Sequence, residues 1–193
     1  MGEDNNFLVL DIETTGLSAY MHKITEISAL KMENGRIIDE FTTLINPQTR
    51  IPSFITRLTG IDNEMVKDAP KIRQIMPGFV EFLEDYTLVG HNATFDYKFL
   101  NHNAITHAGK PIENPVLCTC KLARRLLPQL PSKRLAALCE HFQIRNEQSH
   151  RARGDALATS QILQNFLNTL EKRGITKHEE ILAFQKSKIP KIY

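Results

Sequence analysis

Residues Phe7–Ile12 (FLVLDI) form a short, nearly continuous apolar run, the pattern of a central strand covered on both faces. The run gives way to Thr-Thr-Gly-Leu-Ser, a turn-forming cluster. Two more β-rich runs follow, Lys23–Met32 and Arg36–Ile45, joined through Glu33-Asn34-Gly35. Asn-Gly between two such runs is a hairpin signal, so the first three strands are expected to form an antiparallel meander. After Asn46-Pro47 the period turns helical. SFITRLTG reads as a short helix stopped by Gly60, and Lys71–Asp85 as a longer one with Ile72, Ile75, Phe79 and Phe82 on one stripe, which Pro77 is expected to kink or divide. Thr87–Asn92 and Pro115–Thr119 read as a fourth and fifth strand. Helices are expected at about Phe95–His107, Cys120–Leu127, Arg134–Phe142 and Asp155–Lys172.

An antiparallel meander followed by βαβα predicts an α/β fold, a mixed five-stranded sheet with helices on both faces. The pattern places one domain over residues 1–174, ended by Gly174, and a tail over 175–193. The tail reads as one short amphipathic helix carrying Ile181, Leu182 and Phe184, then a basic extension with Lys186, Lys188 and Lys191, a segment for packing, for partner binding or for linking onward.

Composition adds little. The chain has 193 residues, 41% hydrophobic and 24% charged, with a net charge of +2, so affinity for nucleic acid must come from local arrangement rather than a global field. Three cysteines, Cys118, Cys120 and Cys139, are an odd number in a chain too long to need disulfide staples, which points to a reducing cytosol. Their spacing to His102, His107 or His141 gives no zinc pattern, so they are expected to be buried thiols. No apolar run approaches the ~20 residues that span a bilayer, and the acidic start MGEDNNF is not a secretory signal. The expectation is a cytoplasmic protein with no membrane partner.

The chemistry sits in three places. Asp11 and Glu13 are two apart at the end of the first strand, so both carboxylates point to one face. Two like charges ~4 Å apart repel by roughly 4 kcal/mol at an effective dielectric of 20. A sheltered pair therefore calls for a proton or a cation, and hard oxygen ligands suit Mg²⁺ or Mn²⁺. An exposed acidic strand end is the alternative. Asp96 follows the fourth strand in GHNATFD, where it suits either a helix cap or a site. His91, Asn92 and Phe95 beside it are able to hold a nucleotide by hydrogen bonding and stacking, or to form an ordinary strand-to-helix turn. His150 and Asp155 lie in SHRARGDALATS, five apart, which is poor spacing for one helical face. His150 is expected on the loop entering the last helix, able to take a proton from water near neutral pH, with Asp155 in the first turn. In a sheet ordered 3-2-1-4-5 the first and fourth strands are neighbours, and the three places converge at one sheet edge.

Asp11–Gly16 (DIETTG), His91–Asp96 (HNATFD) and His150–Asp155 (HRARGD) resemble the three motifs of the DEDDh, or DnaQ-like, 3′→5′ exonucleases. The resemblance covers about Phe7–Lys172, with LTGID, KLARRLLP and RLAALCEHFQI fitting between the motifs. It is closest to the proofreading branch, the epsilon subunit of bacterial DNA polymerase III and the exonuclease domain of the Gram-positive replicative polymerase. It implies a ribonuclease-H-like fold, two divalent metal ions, and hydrolysis of nucleoside monophosphates from a 3′ end. It also implies that Asp11 bridges the metals, that Glu13 and Asp155 complete one site and Asp96 the other, and that His150 is the general base. Thr14, Thr15, Gly16 and Leu17 would line the terminal-nucleotide pocket, with Gly16 admitting the substrate and Leu17 wedging against the last base. Thr59 and Asn92 are further candidates for sugar or phosphate contacts. Gly154 departs from the family pattern and is expected to lie ahead of the last helix. Arg151 and Arg153 are candidates for phosphate or are solvated charges, as is the cluster Lys121, Arg124, Arg125, Lys133 and Arg134.

The expected substrate is a single-stranded or frayed 3′ end of DNA, in proofreading or in repair, with a DNA polymerase subunit as a candidate partner. Two alternatives stay open: an RNA-trimming, oligoribonuclease-like enzyme, since no 2′-hydroxyl reader stands out, and a catalytically silent nucleic-acid- or polymerase-binding module.

Overall fold

The computed structural model describes residues 6–190, so the acidic residues 1–5 and Lys191 lie outside the described residues. The elements are β1 (Phe7–Thr14), β2 (Ile24–Glu33), β3 (Arg36–Leu44), α1 (Ser53–Thr59), α2 (Asn63–Val66), α3 (Ile72–Phe82), β4 (Thr87–Gly90), α4 (Thr94–Ala108), β5 (Val116–Cys118), α5 (Thr119–Leu126), α6 (Leu135–Phe142), α7 (Ala152–Glu171) and α8 (His178–Phe184). The strands form one sheet in the order β3-β2-β1-β4-β5, as the pattern predicts. β1 pairs antiparallel with β2 and parallel with β4. The β2–β3 turn has Asn34 and Gly35 both at positive φ (49° and 75°), the backbone that a tight hairpin with right-handed strand twist requires.

Alternation along β1 sorts the layers. Leu8, Leu10 and Ile12 pack with Met76 and Phe79 of α3 and Phe99 of α4, whereas Phe7 and Val9 pack with Leu122 of α5, Leu138 of α6 and Ile162 and Phe166 of α7. Asp11 and Glu13 continue the Phe7–Val9 face, so the acidic pair belongs to the α7 side of the sheet.

Two local expectations are corrected, and one short helix is added. Pro77 does not divide α3, which is continuous over Ile72–Phe82, with Met76, Phe79 and Val80 fastening both sides of the proline to the core. α2, too short to show a period, is capped by the Asp62 carboxylate, which accepts the Met65 N–H at 2.8 Å. α7 starts three residues earlier than its apolar stripe suggests, which draws Gly154 into its first turn.

The segment after Gly174 packs on the α7 side of the sheet and reaches its open edge at β5. His178 stacks on Phe7 with ring centroids 5.6 Å apart, and Ile181 is buried in the α7-side core. The Gln185 side chain accepts the Cys118 N–H (3.0 Å) and donates to the Val116 carbonyl (2.7 Å), taking the place of a neighbouring strand beside β5.

Candidate active site

β1 extends through Thr14, so Asp11 and Glu13 lie inside the strand just before a register shift, and both face α7. The N-terminus of α7 brings Asp155 to them. Ligand atoms of Asp11, Glu13 and Asp155 all lie within 4.8 Å of one another. Asp96, buried in the first turn of α4, stands outside that triplet, yet its charge acts on Asp11 and on Glu13.

What fixes Asp155 is a residue that the sequence reading passed over. Glu26, in register opposite Glu13, is only 3% exposed. Its carboxylate accepts the Arg151 Nε (3.1 Å) and Nη2 (2.6 Å) as a fork, together with the Ala152 backbone N–H at 2.9 Å. A strand side chain thus caps α7 across the interface, where negative charge also suits the positive end of the helix. Alternation along KITEISALKM puts Glu26 on a face it shares with Ser28 and Leu30, and a charge at an apolar-facing position was the available signal.

The loop before α7 completes the setting. Asn146 Nδ2 donates to Asp155 Oδ1 at 2.6 Å, and the His150 backbone N–H donates to Asp155 Oδ2 at 3.2 Å. His150 holds a left-handed φ of 62°, with an exposed side chain whose charge bears on Asp155. Gly154 is required here. A Cβ at that position would run into the Gln148 carbonyl and lie 2.8 Å from its Cβ, so any side chain would push the loop off α7.

The electrostatics are those of crowded acid. Burial, then the charges of Asp96, Glu13, Asp155 and Glu26, raise the Asp11 carboxyl well above its ordinary range. Burial and then Asp155 push Glu13 up to about 8, with Arg151 opposing. Burial pushes Asp96 up to about 7, against hydrogen bonding from the backbone N–H groups of Asp96 itself and Ile12. Burial also raises Asp155, against its bonds from Asn146 and His150. The donor set is hard oxygen throughout, and a divalent cation would remove the repulsion that keeps protons on these groups. The residues therefore fit such an ion.

The remaining site candidates divide. Leu17 is 86% exposed at the rim, and so are two residues not singled out from sequence, Tyr20 (82%) and Met21 (79%). Thr14 and Thr15 are buried with their hydroxyls engaged: Thr14 donates to the Gly16 carbonyl at 2.7 Å and Thr15 accepts the Lys23 N–H at 3.0 Å. At Gly16 the close neighbour within the chain is the His22 ring, whose Cγ would lie 2.7 Å from an added Cβ. Thr59 is buried at the end of α1, donating to the Ile55 carbonyl and accepting the Ile61 N–H. His91 commits both ring nitrogens within the protein, Nδ1 to the Thr119 hydroxyl (2.9 Å) and Nε2 to the Lys133 carbonyl (2.9 Å), leaving neither for a ligand. Asn92 is exposed at φ 69°, and Phe95 is half-buried against Phe99. Arg151 and Arg153, read as phosphate contacts or solvated charges, are ion-paired with Glu26 and Glu40 respectively. In the basic cluster, Arg125 donates to the Lys121 and Ser187 carbonyls, and Lys133 to those of Pro128 and Leu130. The three cysteines are free; Cys118, closing β5, and Cys139 are buried as expected, whereas Cys120, in the first turn of α5, is only half-buried. No helix of the described residues is long and apolar enough to cross a membrane.

Comparison with known proteins gives the family and the fold. The family model RNase_T, described as exonuclease, matches residues 8–163. The chain is 46% identical over 178 residues to the PolC-type DNA polymerase III of Caldanaerobacter subterraneus subsp. tengcongensis, covering 92% of this chain and 13% of that one. It is 39% identical over 181 residues to the PolC-type DNA polymerase III of Bacillus subtilis, covering 93% and 12%. The chain thus spans about an eighth of the length of these relatives. Among solved structures, Exonuclease X in complex with 5′-overhanging duplex DNA superposes with a TM-score of 0.75 at 26% identity, covering 93% of this chain and 99% of that one. E. coli Exonuclease I in complex with a dT13 oligonucleotide superposes with a TM-score of 0.80 at 16% identity, covering 93% and 46%, a likeness of fold.

Proposed function

Since the chain belongs to the exonuclease family whose model spans most of it, we propose that it removes nucleoside monophosphates stepwise from the 3′ end of DNA. The observation that carries this reading is the buried cluster of Asp11, Glu13 and Asp155 with Asp96 beside it, at the sheet edge where β1 and β4 end. Such a cluster is unfavourable for structure alone and favourable for holding divalent cations. Asp11, Glu13 and Asp155 would hold one ion and Asp11 with Asp96 a second, Mg²⁺ or Mn²⁺. When bound, the ions supply Lewis-acid activation of water and neutralisation of charge on the phosphate and the leaving 3′ oxygen.

The chain's own residues do the rest. The imidazole of His150, at the rim beside Asp155, takes the proton from the attacking water. Glu26, through its cap on α7, and Asn146 keep the Asp155 carboxylate aimed at the cluster. Leu17 packs against the terminal base, and the Thr14–Gly16 backbone frames its sugar and phosphate. The PolC-type relatives and the DNA complex of Exonuclease X support DNA as substrate, and the relatives support a replicative polymerase as the setting.

The test is to incubate the chain with 3′- and 5′-labelled single strands of DNA and RNA, in Mg²⁺, Mn²⁺ or EDTA. Stepwise loss of DNA from the 3′ end, abolished by EDTA and by Asp11→Ala, is the expected result. Preferential loss of RNA would move the substrate to the RNA-trimming class, and no loss in any metal would leave a binding module. His150→Ala is expected to lower turnover by roughly 10²–10⁴-fold with strand binding retained; near-normal turnover would take the imidazole out of the chemistry.

A further inference from the structure

Away from the carboxylates, a cavity of about 210 Å³ is lined by basic and neutral side chains and by no acid. Four separate segments build it. Lys23 precedes β2, Asn46 and Thr49 come from the loop after β3, Arg73 from the first turn of α3, and Asn103 and His107 from the C-terminal half of α4. Lys23 and Arg73 are exposed, and neither belongs to any of the ion pairs among the described residues. The basic groups bear on one another: burial, then the charges of Lys23, His102 and Arg73, hold His107 below the ordinary imidazole range. A cleft lined by one sign of charge concentrates potential for the opposite sign.

The cavity lies at the foot of the loop that also forms the candidate site. The Thr15 N–H donates to the Lys23 carbonyl at 2.8 Å, and the Lys23 N–H to the Thr15 hydroxyl at 3.0 Å, so this loop is pinned at both ends. Leu17, Tyr20 and Met21 project from its crest. The Tyr20 ring meets the edge of His102 on α4 at 5.1 Å and 70°, which ties the crest to the helix that also carries His107. An apolar and aromatic crest with cations at its foot is the composition of a surface that stacks bases and tracks a backbone.

We propose that this cavity is a second phosphate site, gripping a backbone phosphodiester of the nucleic-acid strand upstream of the nucleotide held at the carboxylates. Lys23 and Arg73 supply the charge, while Asn103, Thr49 and His107 offer hydrogen bonds around it. The site rests on the nuclease reading above, because it assumes that a strand enters over the crest.

The test is a methylphosphonate walk. Single strands carrying one neutral linkage at successive positions from the 3′ end are bound to the full chain in Ca²⁺, and affinity is followed by fluorescence anisotropy. One upstream position is expected to stand out in the unsubstituted protein, weakening binding about tenfold. In Lys23→Ala/Arg73→Ala the all-phosphate strand is expected to bind about tenfold more weakly, with no further loss from the neutral linkage at that position. Lys23→Gln/Arg73→Gln, which keeps the side-chain bulk, should behave alike. Additive losses, or equal losses at every linkage, would overturn the site and leave a diffuse field. Thymidine 5′-monophosphate p-nitrophenyl ester has no upstream phosphate, so its hydrolysis should be unchanged in the double variant. Failure of the unsubstituted protein to hydrolyse either the ester or any strand would instead overturn the nuclease reading beneath.

Discussion

Lys31 and Glu13 stand on neighbouring strands, both largely withdrawn from water, and their surroundings are opposite in kind. Lys31 is 5% exposed on the α3 side of the sheet, where its Nζ lies 2.5 Å from Glu84 and 4.5 and 5.0 Å from the ring centres of Phe82 and Tyr86. One carboxylate and two aromatic faces answer one ammonium. Glu13, on the α7 side, meets Asp11 and Asp155 within 4.8 Å, with Glu26 opposite it in register. Arg151 opposes this excess at Glu13, and its guanidinium is taken up by Glu26. The Lys31 cluster is complete as the chain folds it. The Glu13 cluster is left with an excess of acid that holds its protons unless a cation replaces them, and such a group is suited to binding.

That contrast can be broken most severely at Arg151. Arg151→Ala leaves Glu26 buried and unpaired against the acidic cluster, so a loss of about 3–5 kcal/mol in urea unfolding is expected. A loss under about 1 kcal/mol would mean that the ion pair is not what seats α7. A smaller effect is expected from pH and metal. Glu13 protonates near 4.5 when unfolded but keeps its proton to about pH 8 when folded. In metal-free protein its contribution is therefore fully present below about pH 4.5 and is lost as pH rises through 8, and Asp96, raised to about 7, follows the same course. Mg²⁺ should stabilise the fold at pH 8 by about 1–3 kcal/mol, roughly 3–10 °C in Tm, and hardly at all at pH 5. Equal metal shifts at both pH values in thermal scans would detach the ion from these carboxyls. Gln185→Ala should lower stability by about 1–2 kcal/mol with turnover unchanged, since it removes two hydrogen bonds on the outer margin of β5, two strands away from β1 and its acids. Least is expected of Lys31→Met. It fits between the two rings and leaves Glu84 solvated, so chemical denaturation should shift by less than about 1.5 kcal/mol.

Much of the fold was legible because its signals are local. The Asn34-Gly35 turn, the apolar run of β1 and the stripe of α7 each lie within a few residues, and together with the family motifs they fix the sheet order. The acids stand out for the same reason, each near a strand or helix end. What escaped depends on distant pieces of chain meeting. Glu26 finds Arg151 across 125 positions, His91 finds Lys133 across 42, and Gly154 is small because Gln148 folds back onto it. The early start of α7 follows from the Glu26 cap rather than from any residue within the helix. Pro77 does not divide α3 because helix propensity is local, whereas the burial of Met76 and Phe79 on either side is not.

The side-chain amide of Gln185 has one more consequence. A bare strand margin is a template on which another molecule's strand can grow, the usual route to domain swapping and fibril formation. At β5 the outward carbonyl of Val116 and the N–H of Cys118 are already satisfied by that amide, so the template is closed by a single residue from beyond Gly174. At the opposite margin β3 presents Arg36, Asp39 and Glu40 to solvent, which guards it by charge instead. A chain trimmed just before α8 would keep its carboxylates and lose its guard, and self-association, rather than lost chemistry, is the failure it should show first.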